Sequence, residues 1–271
     1  MTTIDLGPLG AVLSPAGEGF VETAVELEGL GFSTIWVTGG PMSSLDQLAD
    51  VVRATRTARV ASGIIPVDSF GADDVIALYQ DLERDHPGRL VVGLGGAHGA
   101  GPMATLGAYL DRLDRAVPPA ARVMAALGPK MLRLARDRAA GALPVLVTPG
   151  YTAGARQVLG DGPTLAIEQL VVLETDPGRA RQFARGPLGF LGQVPAYQAN
   201  FRRMGFSDDD IASLGDHLVD ELVTWGGADR IAAQVAAHRE AGADHMALSI
   251  VAEAPVPPLE QWHQLARALT A

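Results

Sequence analysis

Short apolar runs rich in Val, Ile and Leu alternate with helix-patterned segments about eight times along this chain. Clusters of Gly, Ser, Thr or Pro follow many of the runs. Such alternation calls for a parallel sheet wrapped by helices, with any site at the carboxyl ends of the strands. Eight strands in parallel order favour a closed (β/α)8 TIM barrel over an open doubly wound sheet.

Composition narrows the classes. The chain has 271 residues, of which 48% are hydrophobic and 19% charged, which is ample material for a large core. The formal charge is −10 and Lys and Arg form no run, so a nucleic-acid partner is not expected. With no cysteine, disulfides, thiolate metal sites and a cysteine nucleophile are excluded. The start, MTTIDLGPLG, lacks the basic and apolar regions of a secretory signal. No run of 18 uncharged apolar residues predicts a membrane span. The expectation is a cytoplasmic protein with no membrane association.

Strands are predicted at 9–13, 34–37, 59–65, 90–94, 122–127, 143–147, 165–173 and 245–251. Phe20, Ala24, Leu27 and Leu30 space a helix over 19–30, with Gly31 as its stop. Ser44 is placed to cap a second helix whose buried stripe is Leu45, Leu48, Val51 and Val52. Further helices are expected at 73–84, 103–115, from Pro129 to about 139, from Pro177 onward, at 229–241 and through Leu259 to Leu269. Residues 187–226 interrupt the alternation and read as a helical insertion before the eighth strand. No linker or low-complexity segment divides the chain, so 1–271 is read as a single domain.

Gly128, Pro129, Lys130 and Met131 form the sharpest local signal, between an apolar run and an amphipathic helix. Pro129 suits the first helical position, and the free N–H groups behind it can hold a phosphate. The bland alternative is a solvated Lys130, the only lysine, on an ordinary turn. Gly95, Gly96 and Ala97 end the fourth strand, where glycine lets a ligand approach the backbone or simply makes a turn. His98 follows as a candidate proton donor. Ser62, Gly63 and Ile64 suggest a bend at the end of the third strand, and Gly39 and Gly40 a turn after the second. Trp36 reads as core. The histidines show no metal-ligand spacing, and there is no G-x-S-x-G elbow. Asp208, Asp209 and Asp210 after Ser207 read as a helix start.

The stretches ELEGLGFSTIWVTGGP at 26–41, HPGRLVVGLGGAH at 86–98, AALGPKMLRLARDRAAGALPVLVTP at 125–149, VVLETDPGRAR at 171–181, NFRRMGFSDDDI at 200–211 and AGADHMALSIV at 241–251 carry a resemblance. The chain resembles the bacterial luciferase-like superfamily, in particular its deazaflavin-dependent actinobacterial oxidoreductases. The resemblance implies a TIM barrel, commonly a homodimer, that holds coenzyme F-420 or FMN at the carboxyl end and acts on a small-molecule substrate. It implies a non-prolyl cis peptide at Gly63–Ile64 beside the cofactor ring, with Gly128, Pro129, Lys130, Met131 and Thr148 near the phosphate. It makes an F-420-dependent oxidoreductase the leading expectation, with an FMN-dependent luciferase-like monooxygenase second. A shortened segment after His98, and PVDSFG after the third strand, motivate a third: a ligand-binding barrel without turnover.

Overall fold

The apolar runs pair side by side in chain order. The computed structural model describes residues 3–97, 99, 101–253 and 258–269. Its strands are β1 (Leu9–Leu13), β2 (Thr34–Thr38), β3 (Arg59–Gly63), β4 (Ile65–Pro66), β5 (Leu90–Gly95), β6 (Arg122–Met124), β7 (Gly141–Ala142), β8 (Thr164–Val172), β9 (Val223–Trp225) and β10 (His245–Ile250). All pairings are parallel, and β10 pairs with both β1 and β8, which closes the barrel. Around it lie α1 (Phe20–Gly29), α2 (Asp46–Ala54), α3 (Ala72–Asp85), α4 (Pro102–Leu113), α5 (Pro129–Arg138), α6 (Pro149–Leu159), α7 (Pro177–Leu191), α8 (Pro195–Arg203), α9 (Asp208–Ser213), α10 (Asp216–Leu222), α11 (Ala228–Glu240) and α12 (Leu259–Leu269). No helix among the described residues is long and apolar enough to cross a membrane.

Local signals explain most boundaries. Gly31 takes φ 94° after α1, and the Phe32 N–H reaches back to the Leu27 carbonyl at 3.1 Å. Ser207 accepts from the Asp210 N–H at 3.1 Å and opens α9. Ser44 sits one residue before the cap position of α2, and its Oγ accepts from the Asp46 N–H at 3.1 Å.

Four expectations change. The strand expected at 59–65 is split into β3 and β4 by a cis peptide at Gly63–Ile64. The strand expected at 122–127 stops at Met124, before the turn that leads to Gly128. The strand expected at 143–147 lies earlier, at β7, because Pro144 has no N–H to extend the ladder. Beyond it Val145 makes one bridge to Glu168, and Leu146 turns through φ 55°. Helix α6 was not expected: Gly150 and Gly154 thin its apolar stripe, but Thr148 caps it by accepting from the Tyr151 N–H at 3.2 Å. The region 187–226 is helical as expected, except that it ends in β9. Since β10 covers one edge of β8, β7, Val145 and β9 take successive stretches of the other.

The core has three parts. The largest lies between the strands and the surrounding helices. A second, with Leu146, Leu170, Phe201 and Trp225, fastens the inserted helices to the barrel. The third fills the barrel: Trp36 is packed among Val12, Ala61, Val91, Val123, Ala166 and Ala247. One very large side chain among alanines fills a narrow interior without voids. Ile4 and Leu6 plug the amino end, where Thr34 Oγ1 donates to the Leu6 carbonyl at 2.6 Å and Thr164 Oγ1 to that of Ile4 at 2.8 Å.

Candidate functional site at the carboxyl end of the barrel

The site rests on a sealed floor. His245, fully buried, lies beside Gly10, whose missing side chain leaves room for it and for Trp36. Trp36 Nε1 donates to His245 Nε2 at 3.0 Å, so His245 donates through Nδ1 to the Gly7 carbonyl at 2.7 Å. This neutral tautomer suits its setting, since burial pushes the imidazole down to about 4. His245 is therefore a structural pin below the site.

Above the floor, the end of β3 is wedged between its neighbours. A side chain at Gly39 would lie 1.5 Å from the Ile64 carbonyl oxygen, and one at Gly93 would lie 1.9 Å from that of Ser62. Ser62 is buried and clamps Gly93, donating to its carbonyl at 2.9 Å and accepting from its N–H at 2.8 Å. Gly95 makes room for the Ile64 side chain, which borders the barrel interior. Gly39, Gly93 and Gly95 thus let the strands close around Gly63–Ile64. Gly40 is exposed with open space above it, and Gly96 turns at φ 76° into Ala97. His98 lies outside the described residues.

Across the mouth stands a carboxyl that the sequence reading passed over. Every residue of β8 is buried except Glu168, and every residue of β10 except Ser249. Ala166 and Ala247 point into the barrel, so Glu168 and Ser249, two residues further on, point inward one layer nearer the carboxyl end. Ser249 hydrogen-bonds the Glu168 carboxyl, while burial pushes it up from 4.5 to about 7. Tyr197 of α8 faces it, and its phenol is pushed up by burial and by the nearby Glu168 charge. The available signal was a lone acid within the apolar run LAIEQLVV.

A second polar corner lies at the amino end of α5. Gly128 occupies the cap position without a side-chain cap, which leaves the first N–H groups of the helix free of internal partners. The Arg203 guanidinium comes within 3.5 Å of where a Gly128 side chain would begin. Arg203 bonds only Asn200 Oδ1, at 3.1 Å, and makes no ion pair among the described residues. Asn200 is fully buried, yet its Nδ2 has no partner. From α6, Tyr151 donates to the carbonyls of Ala126 at 3.2 Å and Leu127 at 2.7 Å, with Arg203 close enough for its charge to be felt. Pro129 and Lys130 are exposed, whereas Met131 and Thr148 are half-buried. The corner presents donors, which is the chemistry of an anion site.

One helix joins the two corners. Tyr197, Asn200 and Arg203 follow each other at three-residue spacing on α8, so they share a face. The sequence reading assigned α8 no functional side chain.

No protein-family model matches the chain, and no curated protein matches it by sequence. Solved structures do. An F420-dependent secondary alcohol dehydrogenase, solved with an F420-acetone adduct, superposes with a TM-score of 0.71 at 15% identity, covering 99% of this chain and 98% of that one. The coenzyme F420 dependent tetrahydromethanopterin reductase from Methanopyrus kandleri gives 0.70 at 15% identity, covering 97% and 98%. The fold is a closed parallel (β/α)8 barrel of the kind these structures share. It is shared by the FMN complex of the oxygenating constituent of 3,6-diketocamphane monooxygenase from Pseudomonas putida, a type II Baeyer–Villiger enzyme. That structure has a TM-score of 0.64 at 13% identity, covering 96% and 95%. At these identities the likeness establishes the barrel fold alone, and the chemistry rests on this chain's own residues.

Proposed function

We propose that this luciferase-like barrel is an oxidoreductase that uses coenzyme F-420 and acts on a small organic substrate at its carboxyl end. The observation that carries this reading is the donor corner at Gly128. It joins an unpaired arginine, a buried amide N–H without a partner and free helix N–H groups. A phosphate satisfies all of them together, and F-420 and FMN both carry one. The two solved structures named for F420 support the deazaflavin, and the FMN complex on the same barrel favours a second reading as a flavin monooxygenase.

When bound, the coenzyme supplies hydride chemistry that no side chain can. Arg203, Asn200 and the backbone of Lys130 and Met131 hold its phosphate, with Thr148 on the adjoining loop. Ser62, Gly63 and Ile64, locked between Gly39 and Gly93, form one wall of the ring slot. Buried apolar residues below exclude water, and α8 covers the mouth. The resemblance adds a homodimer in the cytoplasm as part of the proposal.

The test is a fluorescence titration of the purified protein with F-420 and with FMN, repeated on Arg203→Ala. Tighter binding of F-420, weakened in the variant, supports the leading reading. Tighter binding of FMN promotes the monooxygenase. Binding of neither overturns both, leaving a barrel without turnover.

A further inference from the structure

We infer that Glu168 is the proton-transferring catalytic residue of this site, and that the substrate class is a neutral carbonyl compound or the corresponding alcohol. The inference rests on the redox reading above. Its basis is position: in β8 and β10, otherwise buried throughout, the two residues not buried are Glu168 and Ser249, diagonal neighbours two residues apart in register and joined by a hydrogen bond. Directly beneath lie Trp36, Ala166 and Ala247, which offer a substrate nothing polar. Its wall toward β3 is the Gly63–Ile64 segment. A substrate oxygen in this layer therefore meets the carboxyl, the Ser249 hydroxyl and, from α8, the Tyr197 phenol.

The surroundings select the substrate's charge. Among the described residues, burial and the Ser249 hydrogen bond are the influences on Glu168, and Tyr197 is the titratable group whose own shift Glu168 contributes to. The cationic corner, with Arg203, lies at the other end of the α8 stripe beside Gly128. Among the described residues of this layer an anionic substrate finds no counter-charge, whereas a neutral carbonyl finds a donor. With the carboxyl pushed up to about 7, it is protonated in weakly acidic solution and ionised above that. That range suits a group that must give and recover a proton.

The step balances. A bound reduced deazaflavin would supply the hydride that the carbonyl carbon takes up. The C=O π bond breaks and its electron pair moves to oxygen. The Glu168 carboxyl proton passes to that oxygen, giving the alcohol, and the carboxylate regains a proton from water at the mouth. In the reverse direction Glu168 accepts the hydroxyl proton.

The experiment compares wild type with Glu168→Gln and Ser249→Ala, with cyclohexanone and cyclohexanol as probes and F-420 as coenzyme. Three readouts are taken: the coenzyme Kd, the pH profile of turnover, and the carboxyl C=O infrared band of the coenzyme-free protein against pH. In wild type, ketone reduction falls as pH rises through about 7 and the infrared band disappears over the same range. In Glu168→Gln that band is absent, turnover falls by about 10²-fold or more, and the Kd stays within about threefold. In Ser249→Ala the infrared midpoint moves up, because the hydrogen bond that favours the ionised form is gone. An infrared midpoint in the ordinary carboxylate range overturns the inference. So does a Glu168→Gln variant that loses coenzyme binding, since Glu168 would then be a coenzyme contact. Wild type that binds neither coenzyme overturns the proposed function and this role with it. Wild type that binds coenzyme but reduces no ketone, or that keeps full turnover in Glu168→Gln, overturns this role alone.

Discussion

Three buried groups whose shifts fall between pH 4 and 7 make the folding stability depend on pH in a way that single substitutions change stepwise. His238 and His245 are both pushed down from 6.5 to about 4 by burial, and Glu168 is pushed up from 4.5 to about 7. Between pH 5 and 6 the unfolded chain protonates both imidazoles and leaves the carboxyl ionised. The native protein does the reverse. For these groups the unfolded state binds two protons and the native state one, so stability rises with pH. The slope is one proton's worth, about 1.4 kcal/mol per pH unit. The sign agrees group by group. A lowered histidine pKa contributes stability that is present above 6.5 and lost as pH falls toward 4. The raised Glu168 contributes stability that is present below 4.5 and lost as pH rises through 7. Glu28, Asp114 and Asp220 are held low by hydrogen bonds and charge partners, so they weigh in chiefly below this window. The assay is urea unfolding of the coenzyme-free protein at half-unit steps from pH 5 to 6, with m held constant. Glu168→Gln removes the opposing proton and steepens the slope to about 2.7 kcal/mol per unit. His245→Gln removes one imidazole and flattens it to about zero. A Glu168→Gln profile parallel to that of wild type would refute the assignment of a protonated carboxyl in the mouth.

Three further outcomes are expected. Gly39→Ala places a carbon 1.5 Å from the Ile64 carbonyl oxygen, so the end of β3 must move; a drop in melting temperature should accompany loss of coenzyme binding in the same titration. Arg203→Ala removes a charged donor that, among the described residues, bonds only Asn200. Coenzyme affinity should fall about 10- to 100-fold, on the scale of 1.5–3 kcal/mol for such a bond, while urea unfolding changes by less than about 1 kcal/mol. Trp36→Phe leaves His245 Nε2 without its donor at 3.0 Å and opens a small void in the barrel; chemical denaturation should show a loss of about 2–4 kcal/mol.

What the sequence determined by itself is what short-range physics controls. Apolar runs name β1, β2, β5, β8 and β10, Gly31 and Ser207 mark helix ends, and the repeated alternation calls for a parallel sheet. Even the cis peptide at Gly63–Ile64 was implied, though by resemblance and not by any local pattern. The failures were local conflicts settled by distant partners. Pro144 ends a ladder that its apolar neighbours would continue, and α6 forms despite two glycines because the barrel needs a crossover there. Only the tertiary structure decided the site. Whether Glu168 faces solvent, helices or the barrel depends on which alanines lie beneath it, a matter of strand register. Arg203 meets Gly128, far away in the chain, only because α8 folds back over the mouth. Backbone hydrogen bonding and side-chain periodicity are written into neighbouring residues. The placing of a carboxyl near a phenol, and of a guanidinium beside Gly128, is set by how the barrel closes and where its insertion packs.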